Sequence, residues 1–355
     1  MDEAGSDDIP GRAEQGAAEA AMRAWNTIPG SPVRLVGVSG GAEAAARLSW
    51  WPDWEDQTEA LAVTIVSYEV ATGRILDAEI RINDEADWSI VGSGAQDPSR
   101  YDVQNTVTHE IGHAFGLAHA QDRPEATMYP SAATAEILKR DLDPDDVAGF
   151  GYLYLSPAAG PEEPTPSPRS MGCSLSGTTG GDAMLILLVL GTAIGGRRRR
   201  ALGILLSTVL AGPAQASAIL QLELSDLVAR ADTIVQGRVE GSVVRWVVGS
   251  IYTDTSIRVS ECMAGTCSSR MIVRQRGGEI DGIGQSVEGT VQLSPGQEVI
   301  LFLRRDGRFH RPVGMARGVF YRRAGGKRHA GPKAVGEVLD FSIPALESLL
   351  SKQRR

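Results

Sequence analysis

Cysteine is almost missing from this chain: there are three among 355 residues, and none before Cys173. That excludes a disulfide framework in the first half, and it excludes a thiolate there as metal ligand, nucleophile or internal latch. Histidine is nearly as scarce, at five. No apolar run reaches the roughly 20 residues that span a bilayer comfortably. Residues 1–10 are acidic and lack the basic and apolar regions of a signal peptide. Positive charge is short in the first part as well. Residues 1–160 hold 27 Asp and Glu against 10 Lys and Arg, a balance of −17 within a whole-chain charge of −9. So acidic a globule excludes nucleic acid as a partner.

What the chain does contain divides it into four parts. Residues 1–156 read as an α+β domain. Its first helix covers 13–25 and stops at Pro29-Gly30. Val- and Ile-rich strands follow at 61–70 and 74–82 around Ala71-Thr72-Gly73, then a polar loop over 83–101. Two more helices are predicted, over 103–117 and 144–153, the latter opened by Pro144 and two acidic residues. Residues 157–172 form a Pro-rich linker with no means of burying a core. Residues 173–217 carry two apolar stretches, 183–194 and 201–211, on either side of four arginines at 197–200. Residues 218–355 alternate apolar and polar residues in short runs near 233–239, 251–259, 271–275, 298–303 and 318–321, with a closing helix over 343–352. That pattern predicts a small all-β barrel or sandwich. Within it, a local disulfide is the better reading of Cys262 and Cys267 than two free thiols. His310 and His329 stand alone among Arg and Lys and read as surface residues.

Three of the five histidines fall in one window, THEIGHAFGLAHA over 108–120. On a helix His109 and His113 project from one face, one turn apart, close enough for both imidazoles to reach one Zn²⁺ at about 2.0–2.1 Å. Gly116 lets the backbone leave the helix with positive φ and brings His119 round as third ligand. Three protein ligands leave a fourth position for water, which marks a catalytic site. Glu110 lies beside the metal, placed to take a proton from that water.

This window resembles the metzincin pattern HExxHxxGxxH. Ala126-Thr127-Met128-Tyr129-Pro130 resembles the Met-turn of that clan, in the form most similar to the matrixins. The segment from Leu142 to Tyr154, with paired Asp145 and Asp146, is similar to the matrixin C-terminal helix. The resemblance covers residues 13–154. It implies a twisted mixed sheet with three helices, an edge strand within 61–70 to which an extended polypeptide substrate adds, and Met128 as a floor under the metal. Gly116, Asp145 and Asp146 enter as structural support. Where the matrixins have a His for a second, structural zinc this chain has Glu79, so one catalytic zinc is expected and calcium is left open. The cysteine-bearing propeptide of many matrixins is also lacking.

Gly172-Cys173-Ser174, the apolar stretch over 184–194 and the arginine run together resemble a myxobacterial C-terminal sorting tail. Arginines 197–200, the apolar 202–210 and Ala214-Gln215-Ala216 equally have the order of a signal peptide. Residues 173–217 are therefore a sorting tail joined to a signal, or a membrane-inserted helical hairpin with its arginines facing the cytoplasm, or two buried core helices. The first two place the flanking domains outside the cytoplasm, membrane-anchored or at the cell surface, or secreted if processed. The function expected is a zinc metalloendopeptidase. The alternative is a surface binding or adhesion protein led by the β-domain, with a vestigial metal site.

Overall fold

The computed structural model describes residues 5–38, 46–52, 54, 60–92, 99–155, 222–322, 328–330 and 340–353. The chain divides into two compact units. One joins Met1–Ser156 with Ala214–Arg355. The other, Pro157–Pro213, lies outside the described residues, and with it both apolar stretches of the expected hairpin and the Pro-rich linker. Among the described residues no helix is long and apolar enough to cross a membrane.

Helix α1 (Ala13–Asn26) buries Ala17, Ala18, Ala21 and Trp25 along one stripe. Small residues there allow close approach to the helix beneath, and the Trp25 indole N–H donates to the Thr108 carbonyl at 2.8 Å. Strand β1 (Ala46–Trp51), missed in the sequence, runs parallel to β3 (Ile75–Asn83), while β2 (Ala62–Glu69) runs antiparallel to β3 on its other side. The turn from β2 to β3 requires Gly73, at φ 71°, whose N–H donates to the Glu69 carbonyl at 2.8 Å. Among the described residues of the segment read as loop, β4 (Trp88–Ser89) pairs with β5 (Tyr101–Asp102) at its end.

Helix α2 (Val103–Ala114) is buried almost all round, as a central helix must be to place functional groups inside a domain. Asp102 caps it, accepting from the Asn105 N–H at 2.8 Å, and carries Arg140 on both carboxylate oxygens. Helix α3 (Pro144–Tyr154) opens on a capping box between Asp143 and Asp146. It contributes Phe150 and Tyr154 to an aromatic cluster with Trp25 and Phe115. Fully buried side chains of this kind stabilise by about 1.5–3 kcal/mol each.

The later part begins with α4 (Leu224–Arg230), followed by β6 (Thr233–Val247), β7 (Ser250–Ala264), β8 (Arg270–Arg276), β9 (Gly278–Ile280), β10 (Ile283–Val287), β11 (Glu298–Asp306), β12 (Phe309–Pro312), β13 (Val319–Arg322), β14 (Arg328–Ala330), β15 (Asp340–Ser342) and α5 (Ile343–Gln353). Strand β12 pairs with both β8 and β11, so the order β12-β8-β7-β6-β11 closes on itself as a five-stranded barrel, and β13-β14-β15 extend it from β11. Alternation along β11 explains its two cores. Val299, Leu301 and Leu303 share one cluster with Val235, Ile257 and Val273; Ile300 and Phe302 share another with Leu227 of α4 and Leu346 of α5. Cys262 and Cys267 are joined as a disulfide. His310, read as a surface residue, is half-buried on β12.

Strands β9 and β10 leave the barrel's sheet. Strand β10 pairs antiparallel with β2, giving a five-stranded sheet of order β1-β3-β2-β10-β9 built from both ends of the chain. The edge of β2 expected to lie open is therefore covered.

Candidate metal centre

Each imidazole reaches the centre by a different backbone device. His109 and His113 stand four residues apart on α2 and leave the same face of the helix. At Gly116, φ is 86°; its N–H donates to the His113 carbonyl at 2.8 Å and the Leu117 N–H to the Gly112 carbonyl at 3.0 Å. This left-handed cap ends the helix and turns the chain back, so that His119 faces the other two. The Nε2 atom of His113 lies 3.1 Å from Nε2 of His109 and 3.2 Å from Nε2 of His119. Ligands of a tetrahedral zinc at about 2.0–2.1 Å stand about 3.3–3.4 Å apart, so this spacing fits one metal ion among the three rings.

The outer ring nitrogens fix which atoms face inward. His109 Nδ1 lies 2.6 Å from the Thr127 carbonyl and His113 Nδ1 2.8 Å from the Leu117 carbonyl. A carbonyl only accepts, so each Nδ1 carries the proton and each Nε2 presents a lone pair. For His119 the neighbour is a carboxylate, Glu288 Oε1 at 3.3 Å from Nδ1. Burial first, then the adjacent rings, hold His109 well below the usual imidazole range and take His113 down to about 4. At pH 7 both are neutral, the form that ligates a metal.

Glu110 is 2% exposed and accepts from the Thr64 hydroxyl at 2.6 Å. Burial pushes its carboxyl up to about 7, against that hydrogen bond and with a contribution from the charge of Glu288. For Glu288, burial raises the carboxyl, but hydrogen bonds from His119 and the charges of His113 and His119 outweigh it and leave it below the ordinary range.

Beneath the helix, Met128 is buried against Gly112, where a Cβ would stand 2.2 Å from Met128 Sδ and 3.0 Å from Trp25 Cζ2. Asp146 accepts from the backbone N–H groups of Thr127 at 2.8 Å and Met128 at 3.0 Å, and so ties α3 to the turn whose carbonyl orients His109. Asp145, paired with it in the sequence reading, faces outward and ion-pairs with Arg123 at 3.2 Å. Glu79 pairs with Arg81 at 2.8 Å. The six positions His109, Glu110, His113, Gly116, His119 and Met128 are thus brought together, with Asp146 behind them. Thr64, Leu117, Thr127 and Glu288 also act on the centre and were not singled out. Leu117 and Thr127 contribute only carbonyls, while Thr64 arrives from β2 and Glu288 from the turn after β10, so none leaves a local motif.

Gly112 carries a testable consequence. Gly112→Ala is expected to destabilise the protein by about 1–3 kcal/mol through overpacking against Met128 and Trp25. That outweighs the roughly 1 kcal/mol by which alanine favours a helix over glycine. Denaturant unfolding checks it; a variant as stable as the parent would show that Met128 moves aside without cost.

Residues 6–155 match the sequence model of the family described as matrixin. The chain is 27% identical to stromelysin-1 of Mus musculus over 158 residues, which is 44% of this chain and 31% of that protein. It is 32% identical over 90 residues to a probable matrix metalloproteinase, 095L, of Invertebrate iridescent virus 3, covering 25% of this chain and 23% of that one. Over 53 residues it is 45% identical to metalloendoproteinase 2-MMP of Arabidopsis thaliana, 15% of this chain and 14% of the relative. The chain spans a third or less of the length of these relatives.

Proposed function

We propose, from the premise that residues 6–155 form a metzincin domain of the matrixin type, that the chain is a zinc-dependent endopeptidase acting on extended polypeptides. The observation that carries this reading is the convergence of the His109, His113 and His119 imidazoles on one point, with the buried carboxylate of Glu110 next along the helix from His109. Zinc bound by those three would supply a Lewis acid that polarises the scissile carbonyl and acidifies water. Glu110 is the general base. Its carboxylate takes a proton from the attacking water and returns one to the leaving amine, a role worth about 10²–10⁴ in rate. Thr64 fixes the carboxylate's orientation by donating to one of its oxygens.

Substrate pairs as an extended strand with β2, whose backbone runs past Thr64 toward Glu110 and supplies hydrogen bonds at regular spacing. Side-chain preference is set next to His113, Gly116, Leu117 and Ala118, which line one small cleft with Thr64 and Val66. Both flanking domains work outside the cytoplasm, on the reading of residues 173–217 given by their apolar stretches and arginine run.

The test is metal analysis joined to cleavage of a quenched peptide mixture. Zinc is expected at about one per chain, as three converging imidazoles imply. His113→Ala should lose most of it and unfold more readily, because metal-binding free energy is partly folding free energy. Cleavage should stop on chelation and return with zinc. A zinc-loaded chain that cleaves nothing, whether or not β10 is displaced from β2, would sink this reading in favour of a binding or adhesion protein.

A further inference from the structure

We infer that the C-terminal β-barrel domain is a built-in inhibitor of the metal centre: its β9–β10 hairpin fills the substrate edge of β2, and Glu288 closes the cleft beside His119. The inference rests on the endopeptidase reading of that centre.

A strand has two hydrogen-bonding edges. One edge of β2 is taken by β3 from Ala62 to Tyr68. The other is taken by β10, in antiparallel register from Ile283 opposite Glu69 to Val287 opposite Ile65. The pairing continues past the strand end, where the Val70 N–H donates to the Gly282 carbonyl at 2.9 Å. An extended peptide cannot add to β2 while β10 is there. The two are mutually exclusive, and β10 runs in the direction and position that substrate would use.

Side chains make this docking specific. The Tyr68 hydroxyl donates to Glu279 at 2.9 Å, and Gln285 donates to the Ser67 hydroxyl at 3.1 Å while accepting from the Ile251 N–H at 2.6 Å. Gln285 therefore bridges the barrel and β2. Gly284 lies flat under Tyr68, where a Cβ would stand 2.2 Å from the ring. Val287 is 4% exposed in an apolar cluster with Trp54, Ala60, Val63 and Ile65 of the first domain. One residue on, Glu288 reaches His119 Nδ1 at 3.3 Å and shares the small cleft with His113. The hairpin thus ends at the metal ligands, where a blocking segment must end. Charge favours the same union: residues 1–160 carry a balance of −17, while residues 218–355 hold 20 Lys and Arg against 14 Asp and Glu, a balance of +6.

Full-length, zinc-loaded protein tests the inference, with Gly284→Val and Val287→Asp as independent ways of displacing β10. The first drives a side chain into Tyr68; the second buries a charge among Trp54, Val63 and Ile65. Neither residue belongs to the barrel's own cores. Three quantities are read: hydrogen exchange of the β2 amides and Val70, zinc content, and kcat/KM on a quenched peptide. If fewer than one molecule in ten is open at rest, both exchange and kcat/KM should rise by about tenfold or more, with zinc content unchanged. Faster exchange with no gain in a cleavage rate that the parent already shows would overturn the inhibitory role and leave the endopeptidase standing. Faster exchange with zinc retained but cleavage in neither parent nor variant would overturn the endopeptidase reading, and the inference with it. Unchanged exchange in both variants would show that β10 does not hold this edge, which also overturns it.

Discussion

Glu110→Gln is expected to lower peptide cleavage by about two orders of magnitude or more while zinc stoichiometry stays that of the parent. The same substitution should make the metal-free protein more stable at and above neutral pH. The carboxyl of Glu110 stands at about 7 in the fold against 4.5 for an ordinary glutamate, chiefly because burial disfavours its charged form. A carboxyl raised in the native state binds its proton more tightly there than in the unfolded chain. Its contribution to stability is therefore greatest below 4.5, falls as pH rises toward 7, and stays reduced above that. At about 1.4 kcal/mol per pKa unit the loss comes to about 3 kcal/mol. Glutamine has no such cost and keeps an acceptor for the Thr64 hydroxyl, so the variant should exceed the parent by that amount at pH 8 and match it at pH 4. His113, lowered to about 4, acts in the opposite sense, losing stability as pH falls from 6.5. It is common to both proteins and cancels in the difference. Urea unfolding of the two metal-free proteins across pH 4–8 measures the gap. Equal stability at pH 8 would mean that Glu110 does not titrate abnormally, and undiminished cleavage would remove it as the base.

The ligand helix was legible because its chemistry is local. His109, Glu110, His113, Gly116 and His119 lie within eleven residues, and helix geometry with one left-handed glycine suffices to assemble them. The hairpin of β2 and β3 was equally readable, from β-branched residues around Ala71-Thr72-Gly73. Illegible features are those whose partners are remote. Strand β1 has no clean alternation, and only its middle and end are shielded, by packing beside β3. Strands β9 and β10 are glycine-containing and short; β10 becomes a strand because β2 lies alongside, and β9 because β10 does. Glu288 reaches the centre from 169 positions beyond His119, with no flanking motif to announce it. In the barrel, β6 and β7 run to 15 residues each, well past the readable core runs, into a tip where Val248 and Gly249 both take positive φ. Glycine second in such a turn is ordinary, but a β-branched residue first is not, and that hid the hairpin.

Asp146→Ala should be the most damaging substitution outside the ligands, though Asp146 is not on the metal. Its carboxylate accepts from three backbone N–H groups, those of Thr127, Met128 and Asp143. Thr127 and Met128 are 0% and 2% exposed, so alanine leaves two buried donors with no water to replace the lost acceptor. Each such donor costs about 1–3 kcal/mol, and the lost cap at the start of α3 adds about 1 kcal/mol, for a total of about 3–7 kcal/mol. The effect should reach the metal through one further contact. The Thr127 carbonyl holds His109 Nδ1 at 2.6 Å, and with that turn loosened His109 no longer has its ring orientation imposed. Zinc affinity is expected to fall by about 10- to 100-fold, the usual consequence of losing an outer partner of a ligand. Asp145→Ala is the matched control. Its side chain is 39% exposed and faces Arg123, so stability should stay within about 0.5 kcal/mol and zinc affinity should not move. Competition with a chromophoric chelator gives the affinities, and denaturant unfolding gives the stabilities. If Asp146→Ala lost stability but bound zinc as tightly as the parent, the turn would be a structural tie alone, and His109 would owe its orientation to α2.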